Sequence, residues 1–316
     1  MRISVCMATY NGEKFVREQL EYIWQQTCKP TEVIICDDDS TDGTREIIRD
    51  FITEKHLEDT WKMIHNRERK GYPGNFYYCM GLATGDIVYL ADQDDIWSSE
   101  KIERMQKVLE RQDDTKVLAC KMELVDAEGK DIKTLIKPNY SKETGLVKNI
   151  SLEQVLYKNE WSGMVLAYRN QWYRQNKETI DNPKIPHDLS LCICGALEQG
   201  MYQMDWVLAW HRRHENNAAG EEHRIQKLLD KERKLADIRK YQSYLEAVLQ
   251  SVDKNDKPEL DAIRSKYEQM KRREELLIDG RAIPVIKNYL KNCKDIRLFT
   301  FLCDWLICLR KSKKVY

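Results

Sequence analysis

Three carboxylates lie within four positions, directly after an apolar run. In the stretch VYLADQDDIW, residues 88–97, they are Asp92, Asp94 and Asp95. Ionised carboxylates this close repel one another, and loss of water makes the repulsion stronger. A divalent cation removes the conflict, because Mg²⁺ and Mn²⁺ prefer oxygen ligands and Mg²⁺ usually divides its shell between one or two carboxylates and substrate phosphates. The pattern predicts that a metal ion and a diphosphate neutralise one another here; the alternative is a solvated loop in which Asp95 caps the next helix.

A second acidic cluster, Asp37 to Asp39, follows another apolar run in EVIICDDDS. If both runs are strands of one parallel sheet, both clusters lie at strand carboxyl ends, where such sheets bind their ligands. We therefore expect the two clusters to converge although they are far apart along the chain. The alternative for the second cluster is a turn followed by a helix cap at Ser40 or Thr41, which does not exclude a pocket.

The elements that would position these acids alternate along the chain. Apolar runs predict strands, and apolar residues at helical spacing predict helices between them. The alternation predicts an α/β fold with a mostly parallel sheet flanked by helices, and residues 131–160 are expected to be irregular. The predicted strands are 2–10, 32–40, 61–66, 86–95, 116–126 and 201–212, with a strand leading into a helix over 163–172; the predicted helices are 12–27, 41–56, 72–84 and 187–200.

Beyond residue 220 the pattern becomes helical throughout. We therefore expect an α/β domain over 1–220 and a helical region over 221–316. The formal net charge is zero, but acidic residues exceed basic ones before residue 218 and basic residues exceed acidic ones after it. We expect no nucleic-acid partner.

The ten cysteines do not suggest disulfides. Several lie in or beside apolar runs, where cysteine behaves as a small hydrophobic residue, and the sequence contains no CxxC motif. Free thiols in a reducing cytosol fit best. The first residues become polar too soon for a signal peptide, and no apolar run reaches the roughly 20 residues of a membrane-spanning helix. We therefore expect a cytoplasmic protein.

Four blocks follow in order: ATYNGEKFVREQLEYIWQQT, EVIICDDDSTDGT, GNFYYCMGLATGDIVYLADQDDIW and HDLSLCICGALEQG, with WHRRHENNAAG after them. Together they resemble family 2 nucleotide-sugar glycosyltransferases of GT-A fold. The DQDDIW segment is most similar to the bacterial rhamnosyltransferase-like branch. The resemblance covers roughly residues 2–220 and departs from the family pattern at Asp39, where the family usually has glycine.

The resemblance implies a binding site for a nucleotide-sugar donor and for Mn²⁺ or Mg²⁺. It places Asp92 near the ribose, and it places one acid of the Asp37–Asp38 pair where it accepts a hydrogen bond from uracil or thymine. Metal ligands would be Asp94, Asp92 and His214, and Arg212 and Arg213 could pair with phosphate oxygens. The nucleotide-binding residues would be Ala8, Thr9, Tyr10, Asp37, Asp38, Gly71, Asn75, Asp92 and Gln93.

Asp188 matches the family's catalytic acid position. An inverting transferase needs a general base that takes the proton of the attacking hydroxyl group. The alternative is that Asp188, at the start of a predicted helix, only caps it. His187 is expected to shape the site. Gly163 and Trp161 match the acceptor side, where Trp161 could stack on a sugar, and a buried core tryptophan is the equal alternative.

These residues predict a metal-dependent, inverting glycosyltransferase. It would move a hexose or rhamnose from a UDP- or dTDP-sugar to a glycan, including a lipid-linked one, in bacterial surface polysaccharide synthesis. One alternative is a non-catalytic sugar-nucleotide-binding protein, which would not need Asp188. The other is a phosphoacceptor signalling domain, which needs an acid pair where the first predicted strand ends in ATYNG.

The segment 296–314 predicts an amphipathic helix. A wide apolar face is interrupted by a narrow polar strip of Arg297, Thr300 and Asp304. The segment is too short to span a bilayer but suits its interface, and the basic residues that follow favour anionic lipid at the inner face of the plasma membrane. The alternative is packing on the 220–280 helices or on a second copy in a homodimer. The basic residues are Arg310, Lys311, Lys313 and Lys314.

Overall fold

The computed structural model describes residues 1–132, 145–158, 160–214, 229–251, 258–293 and 296–312. The chain divides into two compact units. The first comprises Met1–Ser151 and Glu160–His214, and the second comprises Leu152–Asn159 and Glu215–Tyr316. The predicted boundary at residue 220 lies outside the described residues and stays a prediction. One short segment before residue 160 thus groups with the helical unit.

The first unit contains the predicted alternation of strands and helices, with the ends trimmed by a few residues. The expectation that residues 131–160 are irregular is wrong for a strand at Val147–Asn149 and for a helix at Leu152–Lys158, which belongs to the second unit. Its strands are β1 Ile3–Thr9, β2 Glu32–Asp37, β3 Trp61–His65, β4 Ile87–Asp92, β5 Ile96–Trp97, β6 Val117–Val125, β7 Val147–Asn149, β8 Leu166–Arg169 and β9 Met201–Arg212. Its helices, numbered along the whole chain, are α1 Val16–Trp24, α2 Thr44–Glu54, α3 Gly74–Leu82, α4 Lys101–Arg111, α6 Asn170–Gln175, α7 Lys177–Ile180 and α8 His187–Leu197, with a 3₁₀ turn at Gly163–Val165.

Nine strands of the described residues form one mixed sheet. Its order is β3-β2-β1-β4-β8-β6-β9-β5, and β7 pairs with β9. The first four strands are mutually parallel, whereas β8 runs antiparallel to both β4 and β6. The predicted α/β class is confirmed. The antiparallel pairings depend on where β8 inserts, which the alternation of strands and helices does not indicate.

The register of the parallel strands decides which residues meet at the carboxyl edge of the sheet. Thr9 lies opposite Asp37 in β2, and Ala8 lies opposite Asp92 in β4. The end of β1 is therefore flanked on both sides by an acidic cluster. The predicted convergence of the two clusters is confirmed.

The central strands are buried on both faces. Val5, Cys6 and Met7 of β1 are fully buried, as expected for a parallel strand covered by helices on both sides. Helix α1 contributes Leu20 and Ile23 to this core. Burying such a side chain stabilises the fold by about 1.5–3 kcal/mol. All ten cysteines lie in the described part of the chain, and all are free thiols, as predicted.

The second unit consists of helices in its described parts. They are α5 Leu152–Lys158, α9 Lys231–Ser251, α10 Pro258–Asp279, α11 Ala282–Lys291 and α12 Leu298–Ser312. Helix α12 is joined to α10 by a buried bidentate ion pair, in which Arg273 Nε and Nη2 donate to Asp304 at 2.9 and 3.1 Å. None of the described helices is both long and apolar enough to cross a membrane.

Helix α12 is rotated about its axis relative to the orientation that the sequence predicted. Asp304 does not belong to a solvent-facing polar strip, because it is only 4% exposed and pairs with Arg273. The outward face is instead apolar, with four side chains between 39% and 58% exposed: Leu298, Phe299, Leu302 and Leu306. Lys313 and Lys314 lie outside the described residues, as do the side chains of Arg310 and Lys311.

Removing the Asp304 carboxylate leaves the Arg273 guanidinium buried without its counter-charge. We expect Asp304→Ala to lower the free energy of unfolding by about 3–5 kcal/mol. Asp261→Ala is the matched control, because its pair with Arg264 on α10 is more than half exposed, and it should cost less than about 1 kcal/mol. Chemical denaturation followed by circular dichroism measures both. Equal losses in the two variants would contradict the importance of the buried pair.

Candidate active site

Gln93 ties the loop after β4 to the loop after β1. Its Oε1 accepts the Tyr10 N–H at 2.9 Å, and its Nε2 donates to the Tyr10 carbonyl at 3.0 Å. A Cβ at Gly12 would lie 2.3 Å from Gln93 Oε1, so a larger residue there would displace the Gln93 amide. The Tyr10 ring is 39% exposed, and the Arg69 guanidinium lies 3.8 Å from its centroid. Sequence reasoning singled out Tyr10 and Gln93 but missed Arg69.

Asp38 anchors the segment that contains Gly71. Its carboxylate accepts the N–H groups of Lys70 and Gly71 at 2.7 and 2.8 Å, and Asn66 Nδ2 at 3.1 Å. Gly71 has φ 64°, a conformation that glycine adopts without strain. Oδ2 accepts only the Gly71 N–H among these three donors, so it retains a lone pair for a further donor.

Asn75 is also placed beside Asp38. Its Oδ1 accepts Asn66 Nδ2 at 2.8 Å, and its Nδ2 donates to the Cys36 carbonyl at 2.8 Å. Asn75 is 5% exposed. It therefore joins α3 to β2 and supports the segment that Asp38 anchors.

Asp37 is fully buried and organises a turn. It accepts the Thr9 hydroxyl at 3.1 Å, and the N–H and hydroxyl of Ser40 at 3.0 and 2.5 Å. The predicted helix cap at Ser40 or Thr41 is wrong, because α2 begins at Thr44, whose N–H donates to Asp42 Oδ1 at 3.1 Å.

Asp39 has a positive φ of 62°. This is the left-handed region that glycine enters most easily, which accounts for glycine being usual at this position in the family that the sequence resembles. The Asp39 carboxylate lies 3.0 Å from His65 Nε2, and Arg45 Nη1 contacts the same ring nitrogen at 2.8 Å.

Asp95 lies behind the edge of the sheet and does not cap a helix. It is 1% exposed and accepts the Arg212 N–H at 3.0 Å, whereas α4 begins only at Lys101. His211 Nδ1 is 3.2 Å from its carboxylate. Burial lowers the pKa of His211, but the hydrogen bond and charge of Asp95 outweigh this effect and raise it. The alternative of a solvated acidic loop is therefore wrong for Asp95.

Asp94 and His214 meet at the same edge. Asp94 Oδ2 and His214 Nε2 are 2.8 Å apart, and the Phe15 ring packs against the imidazole with centroids 4.5 Å apart. The Arg212 guanidinium is buried and donates to the Asp94 carbonyl and to Glu18. Arg212 therefore organises the site, and the pairing of Arg212 and Arg213 with phosphate oxygens stays a prediction.

Among these acids, the pKa of Asp92 is shifted most by the crowding. Burial raises the pKa of its carboxyl group well above the usual range, and the charges of Asp95, Asp94 and Asp188 raise it further. No local pattern pointed to the buried Lys101 nearby. Burial lowers the pKa of Lys101 to about 7, and its positive charge lowers the pKa of Asp92. Lys101 Nζ donates to the Met164 carbonyl and lies 3.3 Å from the Trp97 ring centroid.

The donor set fits a divalent cation that is shared with a diphosphate. Asp94 and His214 offer an oxygen and a nitrogen side by side, and Asp92 is within electrostatic reach of Asp94. No three His, Cys, Asp or Glu side chains in the described part of the chain form a complete metal site by themselves. Mg²⁺ needs no such set, because one or two carboxylates commonly hold it together with substrate phosphates.

Asp188 lies in the first turn of α8, and its charge contributes to the raised pKa of Asp92, so the two carboxylates interact electrostatically. Its Oδ1 accepts the Leu189 N–H at 2.8 Å, and a hydrogen bond from the Gly163 N–H also stabilises the carboxylate. Burial outweighs both and raises its pKa to about 6. Asp188 thus partly caps α8, as the alternative stated, but its carboxylate can also exchange a proton near neutral pH.

His187 is a buried, neutral neighbour of Asp188. It stacks on Phe76 with centroids 3.8 Å apart, and burial lowers its pKa to about 3. A Cβ at Gly163 would lie 2.6 Å from His187 Nε2, so glycine is required there. Trp161 is only 5% exposed, which favours the core alternative over an open stacking surface.

Residues 4–163 match glycosyl transferase family 2, and the chain belongs to that family. The putative glycosyltransferase EpsE of Bacillus subtilis is 34% identical over 128 residues, which are 40% of this chain and 45% of that protein. The UDP-Glc:alpha-D-GlcNAc-diphosphoundecaprenol beta-1,3-glucosyltransferase WfgD of Escherichia coli is 31% identical over 101 residues, 32% of this chain and 38% of that one. The matches thus span less than half the length of either relative.

Solved structures share the fold. TarS of S. aureus, residues 1–349 in complex with UDP-GlcNAc, superposes with a TM-score of 0.57 at 17% identity, over 100% of this chain and 93% of that one. The mannosyltransferase PcManGT of Pyrobaculum calidifontis, in complex with GDP-Man and Mn²⁺, gives a TM-score of 0.58 at 16% identity, over 100% and 81%. At these identities the likeness establishes a GT-A-like fold.

A methyl group at Gly163 would clash with His187, because Nε2 of that ring is buried against the Gly163 backbone. We expect Gly163→Ala to lower the free energy of unfolding by about 1–3 kcal/mol through overpacking. Gly81→Ala is the control, since its Cβ would meet only the flexible end of Lys177 at 3.2 Å, and it should not destabilise the protein. Thermal unfolding of both variants provides the measurement. A Gly163→Ala protein as stable as the control would refute the close approach.

Proposed function

We propose that this chain is a metal-dependent, inverting glycosyltransferase that moves a hexose or rhamnose from a UDP- or dTDP-sugar to a glycan acceptor. The observation that carries the proposal is the position of Asp188, a carboxylate with a pKa of about 6 within electrostatic reach of the Asp92–Asp95 cluster. A protein that only bound nucleotide sugars would not need a base opposite the acids that face the diphosphate.

The base and ribose of the donor bind at the ends of β1 and β2. Asp38 Oδ2 has a free lone pair for the imide N–H that uracil and thymine share. Ala8, Thr9 and Tyr10 lie between the two acidic clusters, and Gln93 holds the Tyr10 backbone in place. The name of the Escherichia coli relative supports a UDP-sugar.

Asp94 and His214 hold Mn²⁺ or Mg²⁺, with Asp92 beside them. The cation, when bound, neutralises the charge of the donor diphosphate and of the leaving group. Phe15 fixes the imidazole of His214, and Arg212 fixes the backbone at Asp94. The positive charge of Lys101 reduces the repulsion among the carboxylates of the acidic cluster.

Asp188 acts as the general base. Its carboxylate accepts the proton of the acceptor hydroxyl while that oxygen attacks C1 of the sugar from the side opposite the diphosphate. The C1–O bond to the diphosphate breaks, and the electron pair leaves with the phosphate oxygen. Single displacement of this kind inverts the configuration at C1. The Gly163 N–H and the first turn of α8 hold the carboxylate in position.

We further propose that the acceptor is a lipid-linked glycan of bacterial surface polysaccharide synthesis, reached from the cytoplasmic face of the plasma membrane. The diphosphoundecaprenol in the name of the Escherichia coli relative supports a lipid-linked acceptor. The exposed apolar face of α12 supports contact with a membrane surface, and a homodimer through the same face is the alternative.

Asp94→Asn removes one of the charges that hold the cation. We expect the variant to lose the stimulation of nucleoside diphosphate binding by Mn²⁺, because the diphosphate charge is then poorly neutralised. Isothermal titration calorimetry of UDP with and without Mn²⁺ measures this. The control is Asp86→Asn. Asp86 lies just before the start of β4, at the opposite end of the strand from the acidic cluster, and its carboxylate accepts the Arg2 N–H. This variant should bind UDP as the wild type does. Metal-stimulated binding that survives in Asp94→Asn would rule out this ligand.

Asp188→Asn is expected to bind the donor normally and to turn over about 10²–10⁴-fold more slowly, because a general base acts only in the transition state. In the wild type, the carboxylate must be deprotonated to act, so kcat/KM should fall as the pH drops below about 6. Release of UDP from a donor and acceptor mixture measures both effects.

Two results would contradict the role of Asp188. A variant whose donor affinity and turnover fall together would show that Asp188 only supports the helix. A wild-type rate that stays constant well below pH 6 would show that a different group takes the proton.

A further inference from the structure

Lys101 is a fully buried lysine at the start of α4. Taking an ammonium group out of water is costly, and burial accordingly lowers the pKa of Lys101 to about 7. An apolar side chain would fill this place in the core without that cost. The proposed chemistry assigns Lys101 only an electrostatic role, which leaves its hydrogen bond unexplained.

Two elements of the first unit meet at Lys101 Nζ. It donates a hydrogen bond to the Met164 carbonyl, and it lies 3.3 Å from the ring centroid of Trp97. Trp97 belongs to β5, which follows the Asp92–Asp95 cluster directly, and two carboxylates of that cluster oppose the lowering of the Lys101 pKa. The lysine therefore joins the acidic segment to the turn that contains Met164.

The turn at Gly163–Val165 connects Lys101 to the proposed general base. All three residues of the turn are buried. The Gly163 N–H stabilises the Asp188 carboxylate by a hydrogen bond. This N–H and the Met164 carbonyl that accepts Lys101 are separated by only two α-carbons along the backbone. A shift of the carbonyl therefore moves the N–H as well.

The turn has little freedom to absorb such a shift. It is closed by the Val165 N–H, which donates to the Ser162 carbonyl at 3.1 Å. On its other side the Gly163 backbone lies against His187, whose Nε2 would be 2.6 Å from a Cβ at that position. A short turn that is hydrogen-bonded and tightly packed transmits a displacement from one end to the other, because densely packed interiors deform little.

We propose that Lys101 is a positioning residue for the general base. Its Nζ fixes the Met164 carbonyl, and the turn transmits that position to the Gly163 N–H. That N–H in turn holds the Asp188 carboxylate at the distance from the acceptor hydroxyl that proton transfer needs. The inference rests on the proposed function of Asp188 and adds the residue that sets its position. A misplacement of about 1 Å can cost about 10²-fold in rate, so one buried hydrogen bond can control turnover.

The test separates the hydrogen bond of Lys101 from its charge. Lys101→Met roughly keeps the size of the side chain and removes both, whereas Lys101→Gln removes the charge and keeps an N–H donor. Leu109→Ala is the matched control, because Leu109 is also fully buried in α4 but lies about two turns further along the helix. Thermal unfolding establishes that the three variants are folded at the temperature of the assays.

We expect Lys101→Met to lower kcat about 10- to 100-fold, while the KM for the donor and the Kd for UDP with Mn²⁺ do not rise. The lost charge has the same sign as the metal ion, so its removal does not oppose binding of the cation. Lys101→Gln should recover part of the loss in kcat, since its amide can still donate to the Met164 carbonyl. Leu109→Ala should keep the wild-type kcat.

Hydrogen exchange tests the turn without reference to turnover. Exchange of the backbone amides across 162–165 reports opening of the turn, and the amides of β1 serve as the internal reference. We expect exchange across 162–165, relative to β1, to be about tenfold faster in Lys101→Met than in the wild type. The relative exchange should be unchanged in Leu109→Ala.

Three results would overturn the proposal. The first is a wild-type kcat in Lys101→Met. The second is an equal loss of kcat in Lys101→Met and Leu109→Ala, which would mean that α4 acts only through stability. The third is an equal loss in Lys101→Met and Lys101→Gln together with weaker UDP binding, which would mean that the charge acts on the metal site.

Failure of this inference and failure of the proposed transferase are distinguishable. A wild type that transfers sugar while Lys101→Met keeps its kcat would refute the inference alone. A wild type that transfers no sugar, with faster exchange only in Lys101→Met, would refute the proposed function and leave the hold of Lys101 on the turn supported.

Discussion

Crowding of carboxylates at one edge of the sheet is the constraint on which the rest of the first unit depends. Parallel pairing of fully buried strands sets the register, and the register places the ends of β2 and β4 on either side of β1. The surrounding structure compensates the resulting charge. Lys101 lies behind the cluster, His211 pairs with Asp95, and His214 meets Asp94 in front. The charge that remains is what a cation and a diphosphate would neutralise.

Several acids of the motifs also organise the backbone around them. Asp37 holds a turn, Asp38 holds the segment that contains Gly71, and Gln93 holds the loop at Tyr10. Removing such a side chain would therefore move a loop as well as a ligand contact. Asp94 is different, because its side chain meets His214 at the edge of the site while Arg212 secures its backbone. Functional and structural roles can thus be separated more cleanly at Asp94 than at Asp38.

The helical unit is organised around a buried ion pair. Its buried ion pair directs the polar side of α12 inward, and four large apolar side chains consequently face outward. An apolar surface of this kind is costly in water unless something covers it.

The sequence by itself determined the elements and the edge at which chemistry would occur. Apolar runs and helical spacing predicted β1 to β4 and their helices, and acids at strand ends predicted the convergence at Asp37 and Asp92, because these signals are local. Only the tertiary structure decided what depends on neighbours distant along the chain. The antiparallel insertion of β8, the internal cation Lys101 and the inward turn of Asp304 each arise from packing partners that no local pattern identifies. Burial, and with it the pKa of about 6 at Asp188, is likewise a property of the folded surroundings, since an exposed aspartate would titrate well below that value.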